Sequence, residues 1–139
     1  MTYYAVIDTN VIVSAMLKAD SVPGLIVKYV DSGVIIPLVN EEILSEYYQV
    51  INGNKFGFSE FEINKLFNGI KEKAITLTRQ QTLEEFIHKD DIVFFEIVMS
   101  ARQRMDAYLI TGNIRHYPVR NYVVTPRQML EIINKTNNQ

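Results

Sequence analysis

Short, β-rich apolar runs alternate along this chain with longer amphipathic segments, and this alternation is the strongest constraint on its fold. The apolar runs lie at residues 3–7, 34–39, 74–78, 107–111 and 121–124, and helical patterns separate them. Strands of parallel sheets are buried on both faces and are joined by helices. The pattern therefore predicts one α/β domain with a mainly parallel central sheet over residues 1–133. The Asn-rich residues 134–139 are expected to form a flexible C-terminal tail.

Composition narrows the chemistry that the domain can perform. The chain has no Cys and two His, which excludes a disulfide framework, a thiolate zinc site and a cysteine nucleophile. The net charge of −2 is unevenly placed, since residues 1–100 hold 8 basic and 14 acidic residues and residues 101–139 hold 6 and 2. No apolar stretch approaches the ~20 residues of a membrane span, and the first residues lack the basic region of a signal peptide. We expect a cytoplasmic protein without a membrane partner.

Four acidic side chains are predicted to meet at one edge of the sheet. Asp8 ends the first strand, Glu46 lies one turn into the helix after the second, and Asp90 and Asp91 begin a later helix. Ligands of open parallel sheets bind at the carboxyl ends of the strands. Clustered carboxylates repel one another unless a cation or a proton is shared, and oxygen-only donors suit Mg²⁺ or Mn²⁺. Phosphodiester hydrolysis is the chemistry that such a site supports best.

Structural interpretations of the same acids stay open. Asp8 could cap the following helix, Glu46 could be a solvated helix residue, and Asp90 more readily serves as an N-cap. The sequence contains no Gly-x-Ser-x-Gly elbow and no phosphate-loop run, which argues against a serine hydrolase and a Walker-type nucleotide site. A metal-dependent DNase would share the acidic site. A response-regulator receiver would share the α/β form, but it needs a late Lys after a strand, which this chain lacks.

Four segments of the chain resemble the motifs of PIN domains in the right order and spacing. They are residues 6–11 (VIDTNV), 43–47 (ILSEY), 90–96 (DDIVFFE) and 108–113 (YLITGN). The third segment of the family carries an Asp three residues before the first core side chain of its helix, which selects Asp91 over Asp90. The closest likeness is to PIN proteins described as toxins of toxin–antitoxin systems.

This resemblance implies a three-layer α/β/α fold and a metal-dependent endoribonuclease. Asp8, Glu46 and Asp91 would hold Mg²⁺ or Mn²⁺ and orient the attacking water, and Asn113 would complete the catalytic set through its amide oxygen. Thr9 and Asn10 would orient the first acid, with Asp90 and Thr111 as further supporting residues. The implied partners are an RNA substrate and a cognate antitoxin, and PIN-like domains often dimerise.

The basic end of the chain is the expected RNA-binding rim. Its candidates are Arg102, Arg104, Arg115, His116 and Arg120, with Tyr117 available to stack on a base.

One departure from the family bears on catalysis. Many members have Asp where this chain has Asn113, or an acid three residues later, where it has His116. The site would then have one carboxylate fewer and a weaker second metal. The alternative is therefore a catalytically weak PIN-like module that binds RNA or protein.

Overall fold

Five parallel strands form the centre of the molecule. A computed structural model describes residues 1–137, and its strands are β1 (Tyr3–Ile7), β2 (Ile35–Val39), β3 (Ile75–Thr76), β4 (Ala107–Ile110) and β5 (Val123–Val124). Their order in the sheet is β3-β2-β1-β4-β5, and every neighbouring pair is parallel. Strands β2 and β3 lie on one side of β1, and β4 and β5, which come later in the chain, lie on its other side. The carboxyl end of β1 is thus the switch point at which open α/β sheets bind ligands.

In the described part of the chain, six helices cover the sheet and complete a three-layer α/β/α arrangement, which confirms the predicted fold class. They are α1 (Thr9–Leu17), α2 (Val22–Asp31), α3 (Glu41–Ile51), α4 (Glu60–Lys73), α5 (Ile92–Arg102) and α6 (Pro126–Asn137). Two single 3₁₀ turns, Lys89–Asp91 and Ile114–His116, lie just before α5 and just after β4. The first turn contains Asp90 and Asp91 and the second contains Arg115 and His116, so both turns carry candidate site residues.

Local sequence signals set most of the helix starts. Ser21 and Asn40 each accept a hydrogen bond from a backbone N–H of the first helical turn. Ser59 opens α4 with a complete capping box, and Thr125 and Gln128 exchange the same pair of bonds at the start of α6. These side chains satisfy N–H groups that have no partner inside the helix. The predicted starts of these helices are confirmed.

The element boundaries differ from the sequence prediction at several places. Helix α1 begins at Thr9 rather than Val11, directly after Asp8. Strands β3 and β5 are two residues long, shorter than the predicted runs, because each pairs with one neighbour at an edge of the sheet. Helix α6 continues to Asn137, and Thr136 donates a hydrogen bond to the carbonyl of Ile132 within it. Part of the predicted tail 134–139 is therefore helical, and residues 138–139 lie outside the described residues.

Within residues 1–137, no single helix is long and apolar enough to cross a membrane. In that same range, α1 and α2 reach such a length and composition only together, and they are bent by 101° relative to each other.

Candidate active site

Asp8 occupies the switch point at the end of β1, where it is 5% exposed. Although it precedes α1 directly, its side chain makes no capping bond to that helix, so the capping interpretation is wrong. Its Oδ2 instead accepts hydrogen bonds from the hydroxyls of Thr111 (2.8 Å) and Tyr117 (3.0 Å). The carboxylate is therefore held by the loop that follows β4.

Glu46 is half-buried on α3, and the Thr9 hydroxyl donates a hydrogen bond to its Oε2. The expectation that Thr9 orients Asp8 is wrong, because the first turn of α1 packs against α3 and brings Thr9 to the second acid. Asn10 does not orient Asp8 either, since its Oδ1 accepts from the backbone N–H of Gly112 at 3.0 Å. A Cβ at Gly112 would lie 3.1 Å from that oxygen, so glycine permits this close approach. Thr9 thus fixes an acid, and Asn10 ties α1 to the loop after β4.

Asp91 is the acid of the Asp90–Asp91 pair that lies beside Asp8. Its Oδ1 is 3.4 Å from the Tyr117 hydroxyl, which also contacts Asp8, whereas Asp90 is exposed. Its Oδ2 is buried, lies 3.3 Å from Nδ1 of His116, and has no hydrogen bond of good geometry within the described chain. Asp91 precedes α5 but makes no side-chain capping bond to it. This half-buried carboxylate therefore lacks the bonds that a structural cap would make.

The electrostatics of the site reflect crowded negative charge. Burial raises the pKa of Glu46, and the charges of Asp8, Asp90 and Asp91 raise it further, while the bond from Thr9 opposes the shift. Burial, and then the charge of Asp8, likewise raise the pKa of Asp91, against the lowering effect of His116 and His88. Raised carboxyl pKa values mean that the charged forms lack compensation. A bound cation would supply it.

The donor set fits a hard divalent cation in its chemistry. The acids offer carboxylate oxygens, and Oδ2 of Asp91 is a buried acceptor in need of a partner. In the region covered by residues 1–137, however, no three His, Asp or Glu side chains converge closely enough to ligate one ion together. Asn113 is exposed. Its backbone N–H donates to the Thr111 hydroxyl at 2.9 Å, and this hydrogen bond is its contact with the site.

Two of the predicted RNA-binding residues lie at the wrong end of the domain. Arg102 ends α5, donates to the carbonyl of Ala107 at 2.6 Å and stacks 4.3 Å above the ring of Tyr122. Arg104 follows in the turn before β4. Eleven residues of helix separate this end of α5 from Asp91, which is about 16 Å. These arginines are close to Asn113 in the sequence. Strand β4 lies between the arginines and Asn113, so the arginines are at the opposite edge of the sheet.

The other predicted basic residues follow β4 on the side of the acids. Arg115 is exposed, and His116 lies beside Asp91 with its ring 4.4 Å from the ring of His88. Arg120 is paired with Glu84 and also donates to the carbonyl of Val119. Of these three residues, His116 is the one that contacts an acid of the candidate site.

Tyr117 is a site residue that the sequence analysis misassigned. It is 5% exposed and packs edge-on against Phe86 with 6.0 Å between ring centroids, so it is not free to stack on a base. Burial raises the pKa of its phenol, and the charges of Asp8 and Asp91 raise it further, so the hydroxyl stays protonated and donates. Its position between basic residues and Pro118 gives no sequence signal that its ring turns inward.

Arg79 was also missed, and it joins α3, which carries Glu46, to α5, which begins directly after Asp91. Its Nε donates to Glu96 Oε1 on α5 at 2.6 Å, and its Nη1 donates to Glu42 Oε2 on α3 at 2.7 Å. The backbone N–H of Thr82 donates to the other oxygen of Glu96 at 2.8 Å. Beside this link lies a cleft of about 570 Å³, lined by Glu41, Glu42, Ser45, Glu46, Gln49, Val50, Arg79, Lys89, Asp90 and Val93.

Comparison with known proteins agrees with this geometry. The model of the PIN domain family matches residues 4–115, which includes all three acids and Asn113. Neither a curated protein nor a solved structure matches the chain. PIN domains are commonly nucleases, and this supports a general role in nucleic-acid hydrolysis. With four-fifths of its length matched and its acids at the switch point of a parallel sheet, the chain belongs to the PIN domain family.

Proposed function

We propose that this protein is a Mg²⁺- or Mn²⁺-dependent endoribonuclease. The observation that carries the proposal is the gathering of Asp8, Glu46 and Asp91 at the switch point, with the Asp91 Oδ2 buried and unsatisfied. Structural acids are normally paired with a cation or a set of donors. Here burial, and then neighbouring negative charge, raise the pKa values of Glu46 and Asp91, as expected of a site that works with a bound cation.

Asp8, Glu46 and Asp91 would hold the metal. Mg²⁺ usually keeps several waters and binds one or two carboxylates directly, so it does not need three side chains to converge on one point. The metal, when bound, would neutralise phosphate charge and lower the pKa of a bound water.

Side chains of this protein would orient the metal ligands and bind the substrate. Thr111 and Tyr117 hold Asp8, and Thr9 holds Oε2 of Glu46. With the cation bound, the Glu46 carboxylate would help to orient the attacking water. Arg115 is exposed in the loop after β4, and it would bind a phosphate of the RNA.

Cleavage of labelled single-stranded RNA tests this proposal. Wild type should cut in the presence of Mg²⁺ or Mn²⁺ and stop when EDTA is added, and Asp8→Asn should be inactive. Equal cutting by wild type and Asp8→Asn would mean a contaminant or another site, and the ribonuclease proposal would fail.

We also propose that the protein is the toxin half of a toxin–antitoxin pair. Its proposed location is the cytoplasm, and its proposed assembly is a homodimer. The support is the resemblance of four segments to PIN toxins and the small size of the domain. Induced expression should arrest growth, and Asp8→Asn should not. The product of a neighbouring gene for a small DNA-binding protein should relieve the arrest by covering the acidic site. Unimpaired growth with active, soluble protein would contradict the toxin role.

A non-catalytic module that binds RNA or protein is the second candidate. It is favoured by the neutral, exposed Asn113 and by the lack of a converged three-ligand set among the described residues. Retention of RNA on a filter without any cleavage by wild type would establish this alternative over the nuclease.

A further inference from the structure

The hydroxyl of Tyr117 lies between the first and third acids. It is 3.0 Å from Asp8 Oδ2 and 3.4 Å from Asp91 Oδ1. Thr111 donates to the same oxygen of Asp8 at 2.8 Å, and among residues 1–137 no donor contacts Oδ1 of Asp8. Two donors on one oxygen fix the plane of the carboxylate and leave the lone pairs of the other oxygen for a ligand.

We infer that Tyr117 is a positioning residue for the divalent cation, acting through the hydrogen bond that it donates to Asp8, with Asp91 beside the same hydroxyl. This inference rests on the proposed function. Ligating carboxylates commonly need partners outside the ligand set to hold their orientation, and loss of such a partner weakens metal binding about 10–100-fold. The family match ends at residue 115, so this role comes from the contacts of Tyr117 and not from the matched segment.

A phenol suits this position because it is a neutral donor. A Lys or Arg between the two acids would compensate their charge and compete with a cation, whereas a hydroxyl orients the oxygens and leaves the negative charge in place. The ring is held for this task by its edge-on contact with Phe86 and by the backbone bond from Tyr117 to Ile114 at 3.3 Å. Tyr117 is therefore fixed before any ligand arrives.

Calorimetric titration of the metal-free protein with Mn²⁺ tests the inference. The variant is Tyr117→Phe, which keeps the ring and its packing and removes only the hydroxyl. The matched control is Tyr3→Phe, because Tyr3 is also buried and its hydroxyl has no partner in the described part of the chain. We expect the Kd for Mn²⁺ to rise about 10–100-fold in Tyr117→Phe and to change by less than about twofold in Tyr3→Phe.

The outcomes separate this inference from the proposed function. If wild type binds no Mn²⁺, the proposed function is overturned and the role of Tyr117 falls with it. If wild type binds and Tyr117→Phe binds equally well or more tightly, only the role of Tyr117 is overturned. A second readout needs no variant: the tyrosine ultraviolet difference spectrum of wild type should change on adding Mn²⁺, because the phenol donates to a carboxylate that the cation polarises. A flat spectrum under saturation would contradict the inference.

Discussion

Arg79 should contribute far more to stability than an exposed arginine, because its main partner is buried. Glu96 has a 7% exposed side chain, and its two oxygens accept from Arg79 and from the backbone of Thr82. Arg79 is 34% exposed, and its second partner, Glu42, is 56% exposed. Replacing Arg79 with Met keeps most of the aliphatic packing and leaves the Glu96 carboxylate with one donor instead of two.

The cost follows from the burial of each partner. A hydrogen bond to a charged group contributes about 1.5–3 kcal/mol, and removing one partner of a buried pair leaves a charge that costs still more. The bond to the exposed Glu42 contributes below about 1 kcal/mol. We expect Arg79→Met to lower the free energy of unfolding by about 2–4 kcal/mol, and Glu42→Gln to lower it by less than about 1 kcal/mol.

Urea denaturation followed by circular dichroism measures both variants on one scale. With a slope of about 1–3 kcal/mol/M, Arg79→Met should lower the midpoint by about 1 M or more at an unchanged slope. The double variant Arg79→Met/Glu96→Gln should recover part of the loss, because the uncompensated charge is gone. Equal, small shifts for Arg79→Met and Glu42→Gln would mean that the buried pair with Glu96 does not dominate the contribution of Arg79.

Three further predictions concern the acids and their partners. The pKa of Asp91 is raised in the folded state, so ionisation of Asp91 destabilises the folded metal-free protein at pH values above the pKa of the unfolded state. Asp91→Asn should therefore raise the urea midpoint at pH 7, and this gain should disappear as the pH falls towards about 4. A constant difference between the two proteins from pH 4 to pH 8 would be inconsistent with this. Thr9→Val should reduce RNA cleavage about tenfold while the fold is retained, because Glu46 loses its donor; unchanged cleavage would argue against this role. Asn113→Asp should lower the Kd for Mn²⁺ severalfold in calorimetry by adding a carboxylate near the acids, and an equal or higher Kd would count against Asn113 lying at the site.

Local signals in the sequence were sufficient to predict most of the fold. The apolar runs predicted the positions of the five strands, and side chains such as Asn40 and Ser59 marked where α3 and α4 begin. Capping depends on bonds between residues three positions apart, so it can be inferred without knowledge of the tertiary structure. The lengths of β3 and β5 could not be inferred in this way, because they depend on the single neighbour that each edge strand has.

Of the site, the sequence predicted which acids lie at the carboxyl ends of the strands, but not the contacts that those acids make. The chain order placed Asp8 and Glu46 at one edge, but it did not show which hydroxyl contacts which acid. Thr9 reaches Glu46 because α1 and α3 pack together, and Tyr117 turns inward because a 3₁₀ turn precedes it. Arg102 is close to Asn113 in sequence and at the opposite edge in space. Such contacts between distant segments depend on packing and leave no local pattern.

In the proposed function, Glu46 belongs to a cation-dependent hydrolytic site. Its most direct test is the rate of RNA cleavage at saturating Mn²⁺ by Glu46→Gln, with Glu72→Gln, an exposed residue of α4, as a control that changes the net charge equally. We expect Glu46→Gln to lose at least about 100-fold in rate and Glu72→Gln to keep the wild-type rate. Cleavage by Glu46→Gln within about twofold of wild type, at the same Mn²⁺ concentration, would contradict it.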